Sequence, residues 1–266
     1  MTSSHPNLFA LVLIVMLTST SLFVVAADSN NSHTAQDKFP EFSWDYIPKY
    51  MHVYKITSYT AEELDYLASY PLITFEKTQG TRNGFVQEGT IIAANAVKAL
   101  NPNAKILYYK NIVIDWMGSA MSKGLETIEG GYIKSKNGAL PVANSHSKRK
   151  FFDISLPKVQ DWWMKDATMM LNEPSIDGVF IDANIKVLVT EYFSSLKSTG
   201  EAKAKQLIAG YHQLLTRINE ELRTDNIILA NILRARFEKG GLEYLDYFDG
   251  SYLEAFEHNV GGVSRS

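Results

Sequence analysis

The sequence predicts an α/β fold, specifically a (β/α) barrel of the TIM type that ends after about six βα units. Three observations predict it. Strand-like and helix-like segments alternate along most of the chain. The strand segments are continuous apolar runs, as in a parallel sheet covered on both faces. Neither Gly-x-Gly-x-x-Gly nor the P-loop pattern follows the first strand, which disfavours dinucleotide-binding and P-loop versions of such a sheet.

The elements follow in order. Lys49 to Thr57 is rich in β-formers and reads as the first strand. Thr60 and Glu63 form a capping box, so a short helix starts there and runs to about Ser69. Pro71 to Glu76 is the second strand. Gly89 to Leu100 has helical apolar spacing, and Asn101-Pro102 stops it. Lys105 to Lys110 is the third strand. Asn111 to Lys150 shows no clear period. Its Gly130-Gly131 and Asn137-Gly138 predict an extended loop with a hairpin-like turn. Pro157 opens a helix that runs to about Leu171. Ile176 to Ile181 is a buried strand. Leu207, Tyr211, Leu214, Leu215, Ile218 and Leu222 mark one face of a long helix from Ala202 to Leu222. Asn226 to Asn231 is a strand, Phe237 to Leu245 a short helix, and Phe248 to Leu253 a sixth strand. A complete barrel has two further units, so the sheet is expected to be open, with two unpaired edges.

The first 41 residues differ from the body. Met1 to Ala27 carries no Asp, Glu, Lys or Arg. Leu8 to Leu17 is an unbroken apolar run, and small residues lead to Ala26 and Ala27 before Asp28. This predicts a signal peptide over 1–27, cleaved after Ala26 or Ala27, and a secreted protein. The alternatives are a periplasmic protein or an uncleaved anchor, since 20 residues is about a membrane span. Residues 28–41 form a flexible polar leader, and 42–266 the barrel domain. A net charge of −3 leaves no electrostatic footprint for nucleic acid. The absence of cysteine removes disulfides, thiolate metal sites and Cys nucleophiles. No His-Glu-x-x-His pattern or Gly-x-Ser-x-Gly elbow occurs, so neither a metal, a cofactor nor a serine nucleophile is expected.

Barrel enzymes carry their chemistry at the C-terminal ends of strands. Those ends read Tyr54, Glu76, Lys110 with Asn111, Asp182, Asn231 and Glu254. Asp182 closes the buried run Gly178 to Ile181, and Glu254 closes Gly250 to Leu253 in the same way. Two carboxylates across one mouth suit glycoside hydrolysis, in which one acid protonates the leaving oxygen while the other attacks or activates water. They need opposite protonation states. The apolar neighbours of Glu254 favour its acid form, and Asn184 with a facing Lys110 favours ionised Asp182. Tyr109 and Trp116 are positioned to stack on a sugar. Trp162 and Trp163 share a helix with Met169 and Met170 and read as core. His52 reads as a core or barrel-lining residue, and His258, just past Glu254, as a group within reach of substrate. His146 and Ser147 to Lys150 read as a solvated basic loop.

These residues carry a resemblance. Phe152-Asp153-Ile-Ser155-x-Pro157-x-Val-x-x-Trp162, Asp177-Gly-Val-Phe-Ile-Asp182-Ala-Asn184 and Gly250-Ser-Tyr-Leu-Glu254 together resemble a group of barrel glycoside hydrolases. That group is known mostly as hypothetical glycosyl hydrolases. It is akin to the endo-α-1,4-polygalactosaminidases and, more distantly, to α-galactosidase-type barrels. The resemblance covers Phe42 to Phe256. It implies that Asp182, on the fourth strand, is the nucleophile and that Glu254, on the sixth, is the acid/base. From the strand ends and their neighbours, an oligosaccharide or polysaccharide substrate is expected to be contacted by Tyr54, Glu76, Lys110, Trp116, Asn184, Asn231 and His258. The alternatives are a non-catalytic glycan-binding protein or an inactive truncated barrel, with a polysaccharide lyase as a third.

Overall fold

The computed structural model describes residues 38–142, 148–188, 198–233 and 241–254. The expected signal peptide, His146 and His258 lie outside them. Among the described residues, fourteen elements and one 3-10 turn follow in chain order. They are β1 (Tyr50–Val53), α1 (Ala61–Ala68), β2 (Leu72–Phe75), α2 (Val86–Leu100), β3 (Lys105–Asn111), β4 (Ile114–Asp115) and α3 (Ser122–Glu126). Then come β5 (Lys150–Phe151), α4 (Pro157–Leu171), β6 (Gly178–Asp182), α5 (Asn184–Leu188), α6 (Glu201–Glu221), β7 (Ile227–Leu233), the 3-10 turn (Leu242–Tyr247) and β8 (Gly250–Leu253).

Six strands form one parallel sheet in the order β1-β2-β3-β6-β7-β8. Its order is the chain order, with the antiparallel β4–β5 ribbon set apart in the excursion after β3. Neighbouring strands lie about 4.8 Å apart, so five gaps in a flat sheet would separate β1 from β8 by about 24 Å. Yet the rings of Tyr50 on β1 and Tyr252 on β8 lie 5.9 Å apart, and His52 lies 5.7 Å from Tyr252. The sheet therefore curls on itself as a half-barrel, with the side chains of its two edge strands meeting over the inner face.

Alternation along each strand sorts the residues. Leu72, Leu107, Tyr109, Phe180, Ile227, Leu229 and Tyr252 pack together on the inner face. Ile73, Phe75, Ile106 and Tyr108 face α1 and α2, while Val179, Ile181, Ile228 and Ala230 face α4 and α6. This is the two-sided burial that continuous apolar strands require. Among the described residues no helix is long and apolar enough to cross a membrane.

Local chemistry explains the helix boundaries. Thr60 accepts from the Glu63 amide at 3.3 Å while Glu63 accepts from the Thr60 amide at 2.7 Å, the expected capping box. Pro157 occupies the first turn of α4. α2 begins at Val86, three residues ahead of the expected Gly89. Gly89 is inside the helix because a Cβ there would stand 2.4 Å from the Gln79 carbonyl oxygen and 2.6 Å from the Gly80 Cα. The expected hairpin-like turn is present, with the Ser135 amide donating to the Ala139 carbonyl and Gly138 at φ +83°. Of the expected helix over Phe237 to Leu245, residues 237–240 lie outside the described residues, and the rest falls in a 3-10 turn that follows Gly241 at φ +81°.

Candidate active site

One parity rule builds the site. Extending each inner row past its strand brings Tyr54, Glu76, Asn111, Asp182, Asn231 and Glu254 to the same end of the sheet. Below them lies an apolar and aromatic floor of His52, Tyr109, Phe180 and Tyr252, in which His52 meets Phe180 edge-on at 4.7 Å.

Asn231 joins the two expected catalytic acids. Its Nδ2 donates to Asp182 Oδ1 at 3.0 Å and to Glu254 Oε2 at 2.7 Å. Those two carboxylate oxygens can therefore be no farther apart than the sum of these two lengths. A register irregularity lies between Ala230 and Leu233 on β7, where three steps match two on β8. Such a bulge re-aims side chains, and here it coincides with Asn231. Asn231 is buried, and its Oδ1 has no hydrogen-bond partner among the described residues.

Asp182 takes a second donor on its other oxygen. Tyr109 Oη donates to Asp182 Oδ2 at 2.5 Å and accepts from Asn111 Nδ2 at 3.0 Å. Burial first, then the facing carboxylate, pushes the Tyr109 hydroxyl far above its ordinary range, so it remains a donor. Asn111 is itself pinned, with Oδ1 accepting from the Val113 and Ile114 amides and its carbonyl accepting from Trp163 Nε1 at 2.9 Å. The residue after the acid, Ala183, has φ +69°, a left-handed backbone that non-glycine residues adopt at a cost. Glu254 is exposed, whereas its apolar neighbours in sequence suggested burial.

Glu76 sits in a charged chain. His52 Nε2 lies 2.8 Å from Glu76 Oε1, and Lys77 Nζ lies 2.5 Å from Oε2. Burial alone would raise its pKa, but these partners outweigh burial and hold it at about 2. His52 thus lines the inner face, and Lys77 is a site residue that the strand-end reading passed over.

Two expectations are corrected. Lys110 does not face Asp182. It has the opposite parity, points to the helix side, and pairs with buried Asp166 beside the rings of Trp162 and Trp163. Asn184 is fully buried and internally satisfied, with Nδ2 donating to the Ile181 carbonyl at 2.8 Å and Oδ1 accepting from Tyr211 at 2.9 Å. Of the expected stacking residues, Tyr109 is buried under its hydrogen bonds, and Trp116 already has Lys77 Nζ at 5.0 Å and the Arg149 guanidinium at 5.7 Å. Tyr54 is exposed at the rim. A cavity of about 50 Å³ lies between Lys77, Asn111, Trp116 and Asp166.

A family model described as hypothetical glycosyl hydrolase family 15 matches residues 98–265. No curated protein matches the chain. Among solved structures, similarity extends to an alpha-galactosidase from Lactobacillus brevis (13% identity, TM-score 0.45, 70% of this chain and 26% of that one). It also extends to a GH36 alpha-galactosidase from Geobacillus stearothermophilus (12%, 0.47, 69% and 27%). A GH31 dextranase from Flavobacterium johnsoniae is similar at 10% identity and a TM-score of 0.48, over 68% of this chain and 24% of that one. The chain thus spans about a quarter of the length of these structures.

Proposed function

The chain belongs to hypothetical glycosyl hydrolase family 15, and on that premise we propose that it is a secreted enzyme hydrolysing glycosidic bonds with Asp182 and Glu254 as its two carboxylates. The observation that carries this reading is the single amide nitrogen of Asn231 bonded to both acids. It supports a close pair. Retaining glycosidases hold their carboxyl groups about 5–5.5 Å apart, and inverting ones about 6.5–9.5 Å. Nearest oxygens bridged by one nitrogen favour the retaining mechanism.

The roles follow from the surroundings. Asp182 is the nucleophile, because hydrogen bonds from Tyr109 and Asn231 fix the direction of both its oxygens. It attacks the anomeric carbon and forms a glycosyl-enzyme ester as the bond to the leaving oxygen breaks. Glu254 is exposed and can exchange its proton with water. It gives that proton to the leaving oxygen. It then takes one from the water that cleaves the ester, returning both acids to their starting states. Asn231 is the positioning residue that sets their separation. Secretion rests on the apolar, charge-free segment over residues 1–27.

The test is product stereochemistry. Proton NMR of the first-formed sugar on a cleaved substrate is expected to show retention. Inversion would remove the nucleophile role from Asp182. Glycan binding that survives both Asp182→Asn and Glu254→Gln, with no product formed by the unaltered chain, would replace the enzyme by a binding protein.

A further inference from the structure

Beside the two acids lies a cluster with the opposite chemistry. Lys77 Nζ is 5.2 Å from the Tyr109 ring and 5.0 Å from the Trp116 ring, and the Arg149 guanidinium is 5.7 Å from the same indole. Tyr109 is the residue bonded to Asp182, so the cluster adjoins the candidate active site. Arg149 precedes Lys150, which pairs with Asp115 across the β4–β5 ribbon.

Two N–H groups here are buried without an acceptor among the described residues, Trp116 Nε1 and Arg149 Nε. Buried donors are rarely left so. The nearby carboxylates are already committed. Asp115 accepts from the Met117 amide at 2.8 Å, Ser122 at 3.0 Å and Tyr132 at 2.6 Å. Glu76 is held by His52 and Lys77. Arg149 has no ion pair among the described residues. Among the described residues, the Lys77 charge is therefore balanced and the Arg149 charge is not. Among the described residues, what the cluster lacks is an acceptor with one negative charge.

We propose that this cluster binds the carboxylate of a uronic acid residue, so that the substrate is an acidic glycan. The inference deepens the glycosidase reading and rests on it for the word substrate. A guanidinium edge presents parallel N–H donors that match a carboxylate, and the indole N–H adds a neutral donor beside it. Lys77 supplies a second cation at the same indole. A neutral sugar would satisfy the two donors with hydroxyl oxygens but would leave the Arg149 charge unbalanced.

The test changes the ligand before the protein. Calorimetry on the full-length Asp182→Asn variant would compare oligomers of galacturonate, glucuronate and mannuronate with their methyl esters, which keep the sugar and lose the charge. The expected result is that at least one free acid binds about tenfold or more tighter than its ester, with the preference shrinking as salt rises. Arg149→Gln is expected to erase that difference without weakening the ester. Arg149→Lys, the second variant, is expected to retain part of it. Equal binding of acid and ester, no binding of any acid, or an Arg149→Gln variant that keeps the preference would overturn the proposal. A sulfated oligomer that binds while every uronate fails would also overturn it. The two readings fail separately. Hydrolysis of a neutral glycan without acid preference keeps the two-carboxylate mechanism and ends the uronate site. Acid-dependent binding without cleavage by the unaltered chain does the reverse.

Discussion

Tyr108 and Tyr109 are consecutive on β3, and each sends its hydroxyl to an aspartate, but on opposite faces of the sheet. Tyr108 donates to Asp166 at 3.2 Å on the helix side, and Tyr109 donates to Asp182 at 2.5 Å on the inner side. Burial first and the facing carboxylate second push both hydroxyls well above the ordinary range. The difference lies in what else reaches each acid. Asp166 is 1% exposed and also takes Lys110 and Gln87, so every partner comes from the chain and the network is sealed. Among the described residues, Asp182 takes only Tyr109 and Asn231, and Asn231 leads on to exposed Glu254. A sealed carboxylate holds the fold together, and an open one is available for chemistry.

The comparison breaks most visibly on the open side. Asp182→Asn is expected to cut turnover by about 10²–10⁴-fold, the range for loss of a positioned catalytic group. Its melting temperature should stay near that of the unaltered chain, because the amide keeps one oxygen for Asn231 and its NH2 can donate to the Tyr109 hydroxyl, which accepts as well as donates. Turnover within a few-fold of normal on a confirmed substrate would place the chemistry elsewhere.

Asp166→Ala should do the opposite. It leaves Lys110 buried and unpaired, a situation that costs about 3–5 kcal/mol. Urea unfolding reads the loss, while kcat per folded molecule is expected to hold. Stability that barely changes would mean the outer network is not sealed.

Asn231→Ala sharpens the comparison, because Asn231 joins the two acids. Hydrogen bonds to charged groups contribute about 1.5–3 kcal/mol, so kcat should fall by about 10–10²-fold with little change in KM. A fall confined to KM would make Asn231 a substrate contact instead of a positioning residue.

Glu76 gives the pH dependence. Its pKa is lowered in the folded state from 4.5 to about 2, so its contribution is fully present above about pH 4.5 and disappears as pH falls towards 2. The stability difference between the unaltered chain and Glu76→Gln should therefore be flat above that range and shrink below it. A difference that grows on acidification has the wrong sign for this pairing. The smallest effect lies at the helix layer, where Thr60→Ala removes one cap and should cost about 1 kcal/mol with no change in turnover.

Local signals were the most legible part of the fold. Pro157 and the Thr60–Glu63 box place two helix starts correctly, because each acts within one turn. The β4–β5 ribbon was not legible, since two-residue strands show no period. Gly89 misled as a boundary because its role is a close contact with Gln79 and Gly80, which the apolar spacing of the helix does not reveal. In the candidate site, the strand-end reading gathered Glu76, Asn111, Asp182, Asn231 and Glu254 onto one end of the sheet. It went wrong at Lys110, although Tyr109 and Asn111 have the parity of the inner face and Lys110 does not. Apolar runs buried on both sides hide that parity, because neither face is marked by polar residues.

The sequence by itself determined the alternation of strands and helices, and with it a parallel sheet whose strand ends carry acids and amides. Those are properties of neighbours along the chain, set by side-chain period, capping and turn chemistry. Only the tertiary structure decided which of these groups meet. The curl that brings Tyr50 against Tyr252, the bulge that coincides with Asn231 and the fold-back that sets Arg149 on Trp116 all depend on residues far apart in sequence. A contact between distant residues follows from how whole elements pack, and no local pattern encodes that packing.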